Sequence, residues 1–269
     1  MMASGGFRKP LAAWVIAGAL LFAGRLHASD LEPAQLFGAR SPTGGALIGI
    51  FYDFKQSQKG LPVNRDYREV VEKFLNQGWD ESVLGEFYRA TQPLYATQVF
   101  IPLMPANDCP RAFGVEKRVK PSHWLVHYKG QVSSSTGGTF RFLGTADDFL
   151  AVGVNSQTVL VAPMTTHKYN VVDYHPTEGP MINCHSGPMK FGTWFTVKKD
   201  EVIDLDVIVG ELPGGVFCAY LLIEEKGADK PTGTPFPVFQ LVPQTLDSNV
   251  YKKEVPPFSS PGPPWKAVQ

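Results

Sequence analysis

Two adjacent carboxylates, Asp147 and Asp148, stand between two apolar stretches and are the residues best suited to chemistry in this chain. Neighbouring side chains of a regular strand point to opposite faces, so both can reach one cation only where the backbone is kinked or the bond between them is cis. The pair therefore predicts either part of a cation site or a structural turn, in which one carboxylate accepts backbone N–H bonds and the other faces water.

The elements that must position this pair are strands. Alternation of apolar with small or polar residues predicts strands at Thr139–Gly144 and Thr158–Val161, and an apolar run predicts another at Phe149–Val154. Asn155 suits the turn between the last two, because its side chain tolerates a left-handed backbone. The carboxylate pair is thus expected at a strand-to-strand connection.

Three segments carry a resemblance to a known family. The run FRFLGTADDFLAVGVNSQTVL resembles the central hairpins of PA14-like β-sandwich domains, with their Ser/Thr-x-Asp-Asp turn. ALIGIFYDFK (Ala46–Lys55) resembles the first strand of such domains, and FTVKKDEVIDLDVIVGELPGGVFCAYLLIE (Phe195–Glu224) resembles their closing hairpin. The resemblance implies an all-β fold, a PA14-like antiparallel β-sandwich.

The same resemblance implies a function for the carboxylate pair. In calcium-dependent PA14-like adhesins the equivalent Asp-Asp bond is cis and the pair grips Ca²⁺, which in turn holds sugar hydroxyls. Calcium takes about six to eight oxygen ligands, so Asp147 and Asp148 need further groups from another loop. Asn183 is the candidate metal ligand that we select for this role.

The candidate glycan-binding residues are aromatic. Residues 162–192 form the longest stretch without periodicity, and long loops in compact domains are often functional. Tyr169, Tyr174 and Trp194, in or next to this loop, are the predicted platforms near the carboxylate pair. The histidines and Cys184 of the loop fit no closed zinc spacing, and no nucleophile with an assignable base stands out, so we predict no enzyme.

Segment boundaries follow from composition. Residues 1–28 have the charged, apolar and small-residue parts of a signal peptide, with an uncleaved N-terminal anchor as the alternative. A polar leader at 29–45 precedes the sandwich domain at 46–225, which contains a helical insert at about 66–89. The segment 226–269 is a Pro-rich C-terminal tail, expected to be either an extended strap on the domain or a flexible docking segment.

Charge and cysteine usage narrow the function classes. Without the three basic residues of 1–28, 22 basic residues face 25 acidic ones, so nucleic acid is not an expected partner. Three cysteines allow at most one internal disulfide. We expect an exported (periplasmic, cell-surface or secreted) binding module for glycans, with no membrane span in the mature chain. The alternative is a structural or assembly protein of the cell envelope acting through protein–protein contacts.

Overall fold

The structure is a computed structural model that describes residues 37–41, 44–228, 235–244, 246, 257–259 and 265–268. The signal-peptide prediction, most of the leader and much of the tail lie outside these residues. The two α-helices of this part are α1 (Tyr67–Asn76) and α2 (Cys109–Ala112). Its strands are β1 (Leu47–Asp53), β2 (Tyr88–Arg89), β3 (Leu94–Ala96), β4 (Phe100–Pro105), β5 (Trp124–Ser134), β6 (Gly138–Asp147), β7 (Phe149–Val154), β8 (Gln157–Pro163), β9 (Asn183–Cys184), β10 (Gly187–Pro188), β11 (Lys190–Phe191), β12 (Phe195–Val197), β13 (Val202–Glu211), β14 (Val216–Glu225), β15 (Phe236–Pro237), β16 (Phe258–Ser259) and β17 (Trp265–Val268).

Two antiparallel sheets form the sandwich. One sheet has the order β2-β1-β5-β13-β7-β8, and in it β3 also pairs with β1 and β17 with β5. The other sheet has the order β11-β6-β14-β4. The main core lies between them and includes inward residues of both, such as Val207 and Leu222. The expected all-β, antiparallel sandwich architecture with a short helical insert is confirmed.

The helical insert covers the outer face of the first sheet. Asp66 caps α1 by accepting hydrogen bonds from two backbone N–H groups, and the helix buries Val71 and Phe74 against the sheet. A single 3₁₀ turn at Glu81–Leu84 follows, capped by Asp80. The helical insert expected at about 66–89 is confirmed in its first part, but its end is not helical, because Tyr88–Arg89 forms β2 and pairs with β1. Asp206 of β13 is half-buried beside His127 of β5, at 2.7 Å.

The chain crosses from one sheet to the other at two places that matter for the site. Strand β6 belongs to the second sheet and β7 to the first, so the crossing occurs at Asp147-Asp148. Strand β13 belongs to the first sheet and β14 to the second, with residues 212–215 between them. The predicted closing hairpin is therefore wrong, because its two long strands pair with different neighbours, and Phe195–Val197 is a separate short strand.

The described parts of the tail pack onto the sandwich. Strand β17 pairs with β5, and Trp265 is buried among aromatic rings of the second sheet, with its ring centroid 5.1 Å from that of Phe140. Val238 and Phe239 are also buried in the main core. Of the two expectations for the tail, these residues favour the strap.

Cys109, Cys184 and Cys218 are free thiols. Among the described residues, no helix has the length and apolar character needed to cross a bilayer.

Candidate functional site

The two sheet crossings bring three carboxylates together at one end of the sandwich. The peptide bond between Asp147 and Asp148 is cis, one of the two geometries that lets both side chains serve one site. Glu211, the last residue of β13, joins them, and one carboxylate oxygen from each residue lies within 4.8 Å of the others. All three side chains are buried, with exposures of 5%, 2% and 0% for Asp147, Asp148 and Glu211.

The carboxylate of Glu211 is not compensated by hydrogen bonds. Both of its carboxylate oxygens are buried without a hydrogen-bond donor among the described residues. Burial, and then the nearby charges of Asp148 and Asp147, raise the pKa of Glu211 to about 9. An unpaired buried carboxylate is costly as an anion, so this residue gains from any cation that reaches it.

Asp148 is only partly satisfied. One of its oxygens, Oδ2, accepts a hydrogen bond of 2.7 Å from the backbone N–H of Leu212, in the second crossing. Burial raises the pKa of Asp148 despite this bond, and the charge of Asp147 raises it further. The backbone of one crossing thus holds a carboxylate of the other, which fixes the relative position of the two segments.

The rim of the cluster consists of two histidines and a glycine. His167 Nδ1 lies 3.8 Å from Asp148 Oδ1, and His185 Nε2 lies 3.6 Å from Asp147 Oδ2. Gly214 is exposed above the carboxylates, and a Cβ there would lie 3.4 Å from Glu211 Oε1. Because residue 214 has no side chain, no Cβ fills the space next to Glu211 Oε1.

Two cavities adjoin the cluster. One, of about 580 Å³, is lined in part by His167 and Leu212, and a second, of about 520 Å³, by His167, Tyr169 and Tyr174. The Tyr169 ring packs on Phe149 with 4.2 Å between ring centroids, and the negative charge of Asp148 adds to the burial that raises the pKa of Tyr169. Tyr169 therefore lies near Asp148, and Tyr174 lines the same cavity as Tyr169. Their role as glycan-binding platforms stays a prediction.

Trp194 lies elsewhere. Its ring packs on the Arg141 guanidinium at 4.5 Å, and it borders a cavity of about 360 Å³ next to Ser156. Ser156 follows the far end of β7, and a strand of six residues spans roughly 20 Å, so Trp194 is at the opposite end of the sandwich from Asp148. The expectation that Trp194 forms a platform near the pair is wrong.

Asn183 lies in β9, within the loop that carries the neighbouring His185, and its side chain is exposed.

The third acidic group next to Asp147 and Asp148 is Glu211, which the sequence analysis missed. A signal for it exists, since Ile203, Leu205, Val207 and Val209 alternate on the core face of β13 and Glu211 continues that face. A carboxylate on a core face needs a partner or a ligand. Asn183 as a metal ligand stays a prediction.

The thiols near the cluster are poor nucleophiles. Cys218 lies opposite Asp147 in the β6–β14 register. Burial raises the pKa of the Cys218 thiol to about 12 and that of Cys184 to about 11. Thiolate is the reactive form of cysteine, so both thiols are unreactive at neutral pH.

The fold has counterparts among solved structures. The chain is similar to a PA14 sugar-binding domain from an RTX adhesin, with 16% identity, a TM-score of 0.44, and coverage of 73% of this chain and 96% of that one. It is similar to the PA14 domain of an antifreeze protein, with 14% identity, a TM-score of 0.44, and coverage of 74% and 90%. It is also similar to the epithelial adhesin 6 A domain from Candida glabrata in complex with Galb1-3GlcNAc, with 10% identity, a TM-score of 0.41, and coverage of 74% and 85%. No family model and no curated protein matches the chain.

Proposed function

We propose that this protein is an exported, non-catalytic binding module that holds Ca²⁺ at Asp147, Asp148 and Glu211 and uses the ion to bind carbohydrate hydroxyls. One observation carries the proposal. Three buried carboxylates converge within 4.8 Å, and Glu211 has no hydrogen-bond donor on either oxygen within the described residues. Mutual repulsion of this kind is costly in a structural turn and is relieved by a divalent cation.

The donor set fits a hard cation. Calcium takes about six to eight oxygen ligands, and the three side chains offer carboxylate oxygens only. Asp148 Oδ2 is engaged by the Leu212 N–H, so the protein groups leave coordination positions for water or for a ligand. When bound, Ca²⁺ would coordinate sugar hydroxyl oxygens at these positions, and the residues around the site would orient the sugar.

The surroundings fit a saccharide. The two cavities that share His167 have volumes in the usual range for small ligands, about 300–1,000 Å³. Tyr169 and Tyr174 supply aromatic surface on one side. Two of the similar structures are described as a sugar-binding domain and as a complex with Galb1-3GlcNAc. For this chain, carbohydrate as the ligand class is part of the proposal, as is its export, which is inferred from residues 1–28.

Thermal unfolding in EDTA and then in millimolar Ca²⁺ tests the metal site. A ligand that binds only the folded state adds about 2.7 kcal/mol at a hundredfold excess over its Kd. For a chain of this size, that stabilisation raises Tm by about 5 to 10 °C. We expect this rise in the native protein and its loss in Glu211→Gln, which removes one charged ligand.

Glu116→Gln is the matched control, because Glu116 is exposed and distant in sequence from the three carboxylates. It should keep the full calcium response. An unchanged Tm in the native protein on adding Ca²⁺, or an equal response in Glu211→Gln, contradicts the proposed site.

A further inference from the structure

The cavity of about 580 Å³ beside the carboxylates has basic groups on its opposite wall. Leu212, which donates to Asp148, and His167 line it on the carboxylate side. The far side is the start of α1 and the residues before it, and includes Arg65, Asp66 and Arg68. The cavity is thus connected to the proposed calcium site through Leu212 and His167, which contact Asp148, and it is also lined by charged residues of the α1 region.

The charged side chains on the far side of the cavity differ in whether they have a bonding partner. Arg65 forms an ion pair with Glu86 at 3.1 Å. Asp66 Oδ1 accepts the backbone N–H groups of Arg68 and Glu69. The guanidinium of Arg68 has no acidic partner within 4.0 Å in the described part of the chain.

The acidic residue one helical turn after Arg68 does not neutralise it. Opposite charges four residues apart on a helix commonly pair, which makes Glu72 the expected partner. Glu72 Oε1 instead accepts a hydrogen bond of 2.7 Å from the backbone N–H of Asn170, in the long loop. Arg68 is therefore left as an exposed permanent cation at the cavity.

We propose that this cavity binds an acidic saccharide, with the sugar hydroxyls on the calcium side and the sugar carboxylate on Arg68. The inference rests on the proposed function and names its ligand class. A divalent cation leaves one negative charge among three carboxylates, so the calcium wall favours neutral hydroxyls over an additional carboxylate. The guanidinium of Arg68, by contrast, offers paired N–H donors that match a carboxylate.

His123 contributes polarity without a positive charge. It lines the same cavity, and burial, followed by the charge of Lys55, lowers the pKa of its imidazole. At neutral pH it is a hydrogen-bonding group for a sugar hydroxyl. Discrimination between acidic and neutral sugars then falls chiefly on Arg68.

The test uses matched pairs of monosaccharides in millimolar Ca²⁺, namely glucuronate with glucose, galacturonate with galactose, and mannuronate with mannose. The members of each pair differ by one carboxylate in place of a hydroxymethyl group. We expect the acidic member of the best pair to bind about tenfold more tightly, the scale of one hydrogen bond to a charged group. Arg68→Gln should remove that preference and leave the affinity for the neutral member unchanged.

Arg111→Gln is the control, since Arg111 pairs with Asp108 on an exposed surface, and it should keep the preference. Equal binding of acidic and neutral members, or a preference that survives Arg68→Gln, overturns the inference and leaves the proposed function standing. Absence of calcium-dependent binding to every sugar overturns the proposed function and the inference with it.

Discussion

Two buried groups of charged side chains in this sandwich are compensated to opposite extents. His127, buried beneath the helical insert, contacts Asp206 at 2.7 Å and Glu81 at 3.2 Å, and Glu81 also contacts Lys129 at 2.8 Å. Each carboxylate of this histidine cluster thus lies within 4.0 Å of a basic side chain. Asp147, Asp148 and Glu211 face one another. Among the described residues, the basic side chains within 4.0 Å of them are His167 and His185, at 3.8 and 3.6 Å, and the Leu212 N–H bonds Asp148.

The pKa values follow this difference. The hydrogen bond from His127 is the main reason why the pKa of Glu81 falls to about 2. Burial raises the pKa of Glu211 to about 9, and Asp148 and Asp147 add to the rise. The same side chain type is therefore stabilised as an anion in one cluster and destabilised in the other. The comparison teaches that a buried carboxylate marks a ligand site only when the fold leaves it unpaired.

The largest effect on stability is expected at Arg141, a buried charge outside these two clusters that is fully compensated. Its guanidinium bonds Glu224 at 2.6 Å, the Thr177 hydroxyl and the Glu178 carbonyl, and all three bonds are made with little solvent exposure. Arg141→Ala leaves Glu224 without its cation, so it should lower the free energy of unfolding by about 3 to 5 kcal/mol. Urea unfolding measures this loss.

Arg111→Ala is the comparison for that variant, because the Arg111–Asp108 pair is exposed and should contribute less than about 1 kcal/mol. Similar losses in the two variants would show that burial and compensation do not distinguish these charges.

Removing one charge from each of the two clusters should change stability in opposite directions. In EDTA at pH 7.5, Asp206→Asn weakens the bond to His127 and should cost about 1 to 3 kcal/mol. Glu211→Gln removes a buried carboxyl group that must take up a proton at this pH, because its pKa is raised to about 9, and should stabilise the protein by a similar amount. Urea unfolding of both variants tests the sign, and a destabilised Glu211→Gln in EDTA would contradict the account.

The pH dependence of that stabilisation has a definite sign. The folded-state pKa of Glu211 is about 9 against an ordinary value of 4.5, so its stability contribution is present below pH 4.5 and is lost as pH rises toward 9. In EDTA, the advantage of Glu211→Gln over the native protein should therefore vanish near pH 4.5 and grow up to pH 8. Thermal melts across this range measure it, and an advantage that is constant with pH would count against a raised pKa of Glu211.

The smallest effect is expected at Glu81, whose side chain is one third exposed. Its folded-state pKa is about 2, so its contribution is present above pH 4.5 and is lost as pH falls toward 2. Glu81→Gln should cost about 1 kcal/mol at neutral pH, a value reduced by solvent screening. The cost should shrink near pH 3 in the same melts, and a cost that grows on acidification would show that Glu81 is not held as an anion.

Local sequence patterns predicted much of the fold. The strands at Phe149–Val154 and Thr158–Val161 and the helix within the insert at about 66–89 follow from alternation, apolar runs and composition, all of which act within a few positions. The same locality indicated the Asp147-Asp148 connection as a candidate cation site.

The partners across the sandwich could not be predicted in the same way. Glu211 follows Asp148 by 63 positions and meets it only because β7 and β13 pair in register near their ends. The sheet in which each long strand lies depends on packing between strands far apart in the chain. Patterns within one strand carry no information on that choice, which explains the mistaken closing hairpin and the misplaced Trp194.

Calorimetric titration of the metal-free protein with Ca²⁺ at pH 7.5, in two buffers with different ionisation enthalpies, tests the central claim most directly. The account predicts one Ca²⁺ per chain and the release of about one proton, because Glu211, with its pKa of about 9, must ionise to bind the metal. Glu211→Gln should lose the proton release. No saturable binding, or binding with the same heat in both buffers, would contradict a calcium site built on Asp147, Asp148 and Glu211.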